Sequence, residues 1–215
     1  MIKKLPLALA TAALAIALPL TAQPAMQKPG SPSTAAITGG TYQSDPHHTL
    51  VRWSVDHMGF TPYTGLFGDV TGTLQLDPKR PAAAKVDVTI PVSSITTVNH
   101  DLMAHLLRAP AKEGAKPDFF GPNPAPAHYV STSVKLLGKN RAQIMGNLTL
   151  NGVTRPVVLD ASFYGAGKTP AMMGGKENVG FTARTAIKRS DFGIAFAIPI
   201  VSDEVALEIA AAFAK

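Results

Sequence analysis

Histidines are the side chains of this sequence most able to do chemistry, but their spacing is poor for it. The six are His47, His48, His57, His100, His105 and His128. His100 and His105 stand five residues apart, which does not align two side chains on one face of a helix. Because the chain has no cysteine, thiolate zinc sites, iron–sulfur clusters and disulfides are excluded. The pattern predicts no metal site, although His47 and His48 could still join the later pair in three dimensions.

Carboxylates and basic residues give equally little sign of catalysis. Asp69 and Asp77 lie close in sequence, but solvated turn positions explain them better than a facing catalytic pair. No G-x-S-x-G, H-E-x-x-H, P-loop or dinucleotide-binding motif is present. Four basic residues are predicted to cluster near one end of the late strands: Lys176, Arg184, Lys188 and Arg189. An ordinary solvated face explains this cluster, and a landing place for an anionic head group is the alternative. We predict no catalytic residues.

The composition favours a folded, turn-rich β protein. Hydrophobic residues make up 46% of the 215 positions and charged residues 16%, which excludes a wholly disordered chain. The 18 glycines and 18 prolines suit a fold with many turns. A formal net charge of +6 is mild for this length and does not by itself indicate a nucleic-acid partner.

The first 22 residues have the layout of a secretory signal peptide. Lys3 and Lys4 precede an apolar run over 5–20, and small residues follow at 21–25. The run of about 16 residues is shorter than the ~20 that a membrane-spanning helix needs. Cleavage after Ala22 or Ala25 is therefore favoured over retention as an anchor. Residues 23–40 are rich in Pro, Ser, Thr, Ala and Gly and predict a flexible leader. We expect an exported protein, periplasmic in a Gram-negative source, with its folded domain at 41–215.

Alternation of apolar and polar residues predicts about eight antiparallel strands. The predicted strands are 50–57, 64–76, 85–90, 129–137, 142–150, 155–164, 179–188 and 204–213. Asn151 and Gly152 form the dipeptide that is typical of a tight hairpin turn. One short helix is predicted around 101–107, capped by Asn99 or Asp101. Residues 165–175 are expected to form a loose loop.

Regular short strands indicate a sandwich or a closed barrel. Closure removes exposed sheet edges, and eight strands leave an interior wide enough for one small ligand. The predicted fold class is therefore all-β, an eight-stranded antiparallel lipocalin-like barrel with one short helix. Strand parity predicts an inward-facing set that could bind a ligand: Val51, Trp53, Val55, His57, Val86, Val88, Ile90, Phe181 and Ala183. Plain core packing explains the apolar members equally well. For His57, a satisfied core histidine is the favoured interpretation, and a hydrogen bond to a ligand carbonyl or head group is the alternative.

Three segments, in order, resemble the YceI-like family. They are 54–60 with 65–67 and 70–74 (SVDHMGF, GLF, VTGTL), 147–157 (NLTLNGVTRPV) and 189–194 (RSDFGI). The resemblance covers about 42–213. It implies a signal peptide, a lipocalin-like eight-stranded barrel with a long apolar cavity, and binding of polyisoprenoid lipids such as isoprenoid quinones or prenyl phosphates. The loop 121–126 is longer than usual for the family, which bears on the shape of the cavity mouth.

Two classes of function follow from these observations. The first is a periplasmic carrier or store for a long-chain isoprenoid lipid, bound as a ligand without any further cofactor. The alternative is a hydrolase or isomerase that acts on a lipophilic substrate in the same cavity. The expected partners are the isoprenoid lipid and, transiently, a membrane, with no nucleic acid. The sequence leaves the oligomeric state open, with a homodimer among the alternatives.

Overall fold

The computed structural model describes residues 27–215, so the predicted signal peptide over 1–22 lies outside the described residues. The strands are β1 Gly30–Ser31, β2 Gly40–Ser44, β3 Leu50–His57, β4 Thr61–Phe67, β5 Thr71–Leu76, β6 Lys85–Ile90, β7 Ala127–Leu136, β8 Arg141–Leu150, β9 Val153–Lys168, β10 Glu177–Lys188 and β11 Glu204–Ala214. The α-helix of the described part is α1, His100–Leu106. Short 3-10 helices span Pro81–Ala83, Val92–Ser94, Ala171–Met173 and Arg189–Phe192. Within this part of the chain, no helix has the length and apolar character needed to cross a membrane.

The strands close into an eight-stranded antiparallel barrel with one helix, which confirms the predicted fold class. β2 pairs with β5, β3 pairs with β4, and β11 pairs with both β2 and β3. β2 and β3 therefore form one long bent strand, and β4 and β5 form the strand beside it. The predicted strand 64–76 is therefore divided, with residues 68–70 between its two parts. From β5 the ring continues through β6, β7, β8, β9 and β10 to β11, which pairs with both β2 and β3.

The β8–β9 hairpin is the connection that the sequence predicts best. Asn151 and Gly152 have φ values of 52° and 76°, as a tight turn with a left-handed backbone requires. The prediction of a loose loop over 165–175 is wrong for its first residues, because β9 continues to Lys168. Its last residues pair with the beginning of β10, and Ala166 is buried. A run of glycine and alanine has no apolar alternation, so local sequence did not reveal this extension.

The packed part of the chain begins within the segment predicted as a leader. Gly30 and Ser31 pair with Gly167 and Ala166 at the end of β9. Ile37 is buried in the apolar cluster around Tyr42. Composition did not indicate this, because the segment contributes one large apolar side chain and otherwise hydrogen bonds of its backbone and of the Thr38 hydroxyl.

The two ends of the barrel are built from different elements. The helix end comprises α1, the β3–β4 turn at 58–60 and the loop 193–203, where Met58 N donates to Ile200 O at 2.9 Å. Asn99 rather than Asp101 caps α1, since its side chain accepts a hydrogen bond from Leu102 N at 2.8 Å. The opposite end comprises the β7–β8 turn at 137–140, the loop 169–176 and the segment 27–39. It is called the lysine end below, because Lys28, Lys139 and Lys176 lie on it.

Candidate functional site: the barrel cavity

A cavity of about 1120 Å³ occupies the barrel interior. Its lining includes Met58 and Phe196 from the helix end, and Pro32 and Lys139 from the lysine end. The wall is made almost entirely of aliphatic and aromatic side chains, because one face of each strand supplies it. The arrangement can bury an elongated apolar molecule, which has the character expected of a ligand site.

All nine residues selected by strand parity line this cavity. They are Val51, Trp53, Val55, His57, Val86, Val88, Ile90, Phe181 and Ala183. Their neighbours on the same strands face outward, as for Arg52, which forms an ion pair with Glu208 on the barrel exterior. The placement follows from the period of two along a strand. Contact of these nine residues with a ligand stays a prediction.

Other strands add lining residues that we did not select. They include Tyr129, Ile144, Leu148 and Phe163. The same parity argument, applied to β7, β8 and β9, would have found them. Phe119, Phe120 and Phe196 also line the cavity but belong to loops. No periodic signal marks a loop residue, so tertiary structure alone places these three rings.

Trp53 forms the cavity wall beneath α1. It is 8% exposed and packs with Ile95 and Leu106. Its indole lies directly over Gly65 of β4, where an added Cβ would collide with the ring. Its Nε1 atom is shielded and has no hydrogen-bond partner among the described residues. The glycine is therefore needed for the close approach of the ring to the neighbouring strand.

The electrostatic character of the wall is neutral to basic. Among the described residues, no Asp or Glu side chain lines the cavity, whereas Lys139, Arg141 and Arg189 do. Tyr129 donates a hydrogen bond from its hydroxyl to Ile144 O at 2.9 Å, and burial raises the pKa of Tyr129 to about 12. The cavity therefore holds no negative charge that would repel an anionic head group.

Arg189 holds the loop at the helix end in place. The buried guanidinium donates to the carbonyl oxygens of Ser202 at 2.9 Å, Phe196 at 2.7 Å and Val201 at 2.9 Å. A fourth bond reaches Ile194 O at 3.2 Å. Burial lowers the pKa of Arg189, and the nearby Asp203 carboxylate opposes that shift. Because carbonyls occupy these donors, Arg189 positions the loop 193–203 rather than offering a free cationic site.

The basic cluster read from the sequence does not form. Lys176 precedes β10 and Arg189 follows it, so the 12 residues of the strand separate them. At about 3.3 Å per residue, that distance is roughly the length of the barrel. Arg184 lies between them on the outer face, 3.4 Å from Glu208. The prediction was wrong because closeness in sequence across an extended strand is not closeness in space.

An ionic and aromatic cluster closes one side of the mouth at the helix end. His105 Nε2 lies 2.7 Å from Asp118 Oδ2, and Arg108 donates to the same oxygen at 3.0 Å. The hydrogen bond with His105 is the main cause that lowers the pKa of Asp118. The His105 ring packs edge-on against Phe119 and Phe196, with centroids 5.3 and 5.4 Å away. The cluster thereby ties α1 to the loop before β7 and to the loop 193–203.

No metal-binding arrangement is found in the part of the chain that the structure describes. No three His, Asp or Glu side chains there come close enough together to hold an ion. His48 is bonded to Asp45 at 2.6 Å, while His105 uses Asp118. The histidines that could have met in three dimensions therefore have separate partners.

Comparison with known proteins connects this barrel to a family. The family model described as the YceI-like domain matches residues 42–213. Protein YceI of Salmonella arizonae is 38% identical over 180 residues, which cover 82% of this chain and 88% of that protein. Protein YceI of Salmonella paratyphi B matches to the same extent.

Solved structures share the fold. The YceI protein of Campylobacter jejuni superposes with a TM-score of 0.61 at 28% identity, covering 74% of this chain and 89% of that one. Burkholderia cenocepacia BcnA gives 0.63 at 22% identity, covering 79% and 98%. A polyisoprenoid binding domain from Saccharophagus degradans gives 0.52 at 14% identity, covering 80% and 97%. The last two likenesses show the fold alone. Together with the family match over most of the chain, these findings show that the protein belongs to the YceI-like family.

Proposed function

We propose that this protein binds a long-chain isoprenoid lipid, such as an isoprenoid quinone or a prenyl phosphate, in the barrel cavity. The observation that carries the proposal is the cavity itself, about 1120 Å³ of space with apolar walls. Protein interiors are close-packed, so a barrel that served only its own stability would fill this space with side chains. The apolar length of the cavity suits a flexible hydrocarbon chain.

The energetics need no directional chemistry along the chain of the ligand. Removing ~400 Å² of apolar ligand surface from water contributes about 10 kcal/mol before the costs of association. A prenyl chain therefore requires only a long apolar volume, with polar groups to fix one end. The polyisoprenoid binding domain from Saccharophagus degradans, which has the same fold, supports this class of ligand.

We place the protein in the periplasm, as a carrier or store. The proposal rests on the signal-peptide layout of the first 22 residues. The hydrolase or isomerase alternative is less favoured. His105 is the lining histidine with an oriented carboxylate, but its ring packs between Phe119 and Phe196. No nucleophile is hydrogen-bonded to it among the described residues.

Organic extraction of the purified protein, followed by mass spectrometry, tests the proposal. We expect an intact isoprenoid lipid that the barrel has retained through purification. Protein stripped of lipid should take up an added isoprenoid, and the emission of Trp53, the single tryptophan, should change saturably. Recovery of a chemically converted product after incubation would favour the enzyme. Failure both to carry and to take up any isoprenoid would overturn the binding proposal.

A further inference from the structure

Large apolar side chains project from the lysine end. Met172 is 94% exposed, Met173 68% and Tyr164 78%. Leu136 and Leu137, in and after β7, are also exposed. Single exposed apolar residues are common on protein surfaces, but groups of them beside a cavity opening mark interaction sites.

Local structure holds these side chains outward. A bulge in β9 leaves Tyr164 without a partner, between the pairs Phe163↔Phe181 and Gly165↔Gly180. Phe163 lines the cavity, so alternation along β9 places Tyr164 on the outer face, and the bulge then allows Ala166 to be buried. The two methionines end a 3-10 turn in a loop closed by Thr169 and Lys176. Thr169 N donates to Lys176 O at 3.0 Å, and Lys176 N donates to Thr169 Oγ1 at 3.0 Å.

Basic residues without an ion-pair partner lie on or next to the lysine end. Lys135, Lys139, Arg141 and Lys176 make no ion pair with any residue of the described part. Two acids of this region already have basic partners: Glu177, 6% exposed, lies 3.6 Å from both Lys168 and Lys215. Asp77, in the turn beside Gly39, lies 2.9 Å from Arg80. The lysine end therefore carries a net positive charge toward solvent.

The same surface forms one lip of the cavity. Leu136, Lys139 and Arg141 belong to the cavity lining. The β7–β8 turn is fixed to the barrel wall, because Phe163 N donates to Asn140 O at 2.9 Å. A ligand that enters or leaves the cavity between this turn and Pro32 would pass directly beside the basic and exposed apolar residues of the lysine end.

We propose that the lysine end docks on an anionic lipid bilayer, with Met172, Met173 and Tyr164 inserted among the head groups. The positive charge complements an anionic bilayer surface, and each basic residue near such a surface strengthens binding. A nucleic acid or an acidic protein would satisfy the charges equally well. A nucleic acid provides no hydrocarbon for two exposed methionines, and an acidic protein would need an apolar pocket matched to them. A bilayer provides hydrocarbon beneath its charged surface without such a match, which is why the observations favour a membrane. The suggestion that isoprenoid passes across this lip rests on the proposed function; the docking itself does not.

Vesicle flotation with the purified chain tests the docking. We expect binding to vesicles of phosphatidylcholine with about one third phosphatidylglycerol, weakening at high salt, and little binding to phosphatidylcholine alone. Lys135→Glu with Lys176→Glu should weaken binding about 25-fold or more, since each basic residue lost near the surface costs about fivefold. The matched control, Lys112→Glu with Lys116→Glu, makes the same charge change in an exposed loop before β7. It should change binding less than about threefold, because those residues lie away from the bilayer.

A second pair of variants separates insertion from simple charge attraction. Met172→Ser with Met173→Ser should weaken vesicle binding about tenfold, since apolar burial is lost. Phe60→Ser with Val98→Ser changes two largely exposed apolar residues at the helix end and should leave binding unchanged. Unaltered melting temperatures would show that all four double variants fold.

The outcomes distinguish the docking from the lipid-binding proposal. Absence of binding to anionic vesicles would overturn the docking. So would control variants, Lys112→Glu with Lys116→Glu or Phe60→Ser with Val98→Ser, that weaken vesicle binding as much as the lysine-end variants do. If the protein binds heparin tightly and the methionine variant binds vesicles as well as wild type does, the surface is a general polyanion site instead. Uptake of isoprenoid from detergent should be normal in the methionine variant, because neither methionine lines the cavity. If neither wild type nor any variant takes up isoprenoid while wild type still binds vesicles, the proposed function is refuted but the docking is not.

Discussion

The two ends of the barrel differ in how their charged groups are paired. At the helix end, His105 and Arg108 share Asp118, and backbone carbonyls surround the guanidinium of Arg189. At the lysine end, one buried acid, Glu177, serves two lysines, while the other basic residues there face solvent. Polar groups at the helix end fix the shape of loops. Those at the lysine end fasten the chain at one buried point and leave an excess of positive charge facing solvent.

Glu177 is the buried point that fastens the lysine end. Its Oε2 accepts hydrogen bonds from Tyr42 Oη at 2.9 Å and from Thr38 N at 2.9 Å. Burial alone would raise the pKa of Glu177, but these hydrogen bonds and Lys215 outweigh it and lower the pKa to about 2. Burial, together with the bond to Glu177, raises the pKa of Tyr42 to about 12. The acid thus joins the N-terminal segment, β2 and the last residue of the chain.

Removing Arg189 should have the largest effect on stability. Arg189→Met leaves four buried or part-buried carbonyl oxygens without their donor, so we expect the free energy of unfolding to fall by about 4 kcal/mol. Urea denaturation measures this change. Arg184→Met is the matched control, because this exposed residue pairs with Glu208 at the surface and should contribute less than about 0.5 kcal/mol. Similar losses from the two variants would contradict the assigned role of Arg189.

Glu177→Gln should lower stability at the lysine end by about 2–3 kcal/mol at neutral pH. Because folding depresses the pKa of Glu177 from 4.5 to about 2, its contribution is complete above the unfolded pKa. As pH falls from about 4.5 to about 2, the contribution is lost, so wild type and variant should converge. Denaturation curves at several pH values measure the difference. A difference that stays constant down to pH 2 would refute the role of the ionised carboxylate.

Gly65→Ala should disturb the helix end specifically. The added methyl group collides with the indole of Trp53, so we expect a loss of about 2 kcal/mol and a shift in tryptophan emission. Gly68→Ala provides the control, because an added Cβ at that position has no neighbour within 4 Å and the backbone φ is not positive. Thermal unfolding and fluorescence measure both variants. Equal behaviour of the two would mean that the close approach of the ring is unimportant.

The sequence predicted those parts of the barrel in which local pattern and tertiary position agree. β3 and β6 were predicted to the residue, since one face of each strand lines the cavity and the other meets solvent. The pattern could not predict β1, whose two residues pair through backbone alone. It also could not place Phe119 or Phe196, because their positions depend on His105 and on the loop that Arg189 holds. The charge asymmetry between the ends required the structure, since it arises from strands that carry neighbouring residues to opposite ends.

Val88 offers the smallest expected change in stability and tests whether the two ends share one cavity. It packs against the apolar clusters of both Tyr42 and Tyr129, and it lines the cavity between them. In an open cavity, Val88→Trp should cost less than about 1 kcal/mol, or about 3 °C in melting temperature. In a filled core, overpacking would cost about 1–3 kcal/mol.

Ligand retention completes the test of Val88→Trp. The added ring should occupy space that a long chain needs, so the variant should retain less isoprenoid and accept shorter chains preferentially. Val158→Trp is the matched control, because Val158 is exposed on the outer face of β9 and does not line the cavity. Its retention should equal that of wild type, measured by extraction and mass spectrometry. If Val88→Trp unfolds the protein while retention of isoprenoid is absent even in wild type, the cavity is core rather than a binding site. The two ends would then be separate surfaces with nothing passing between them.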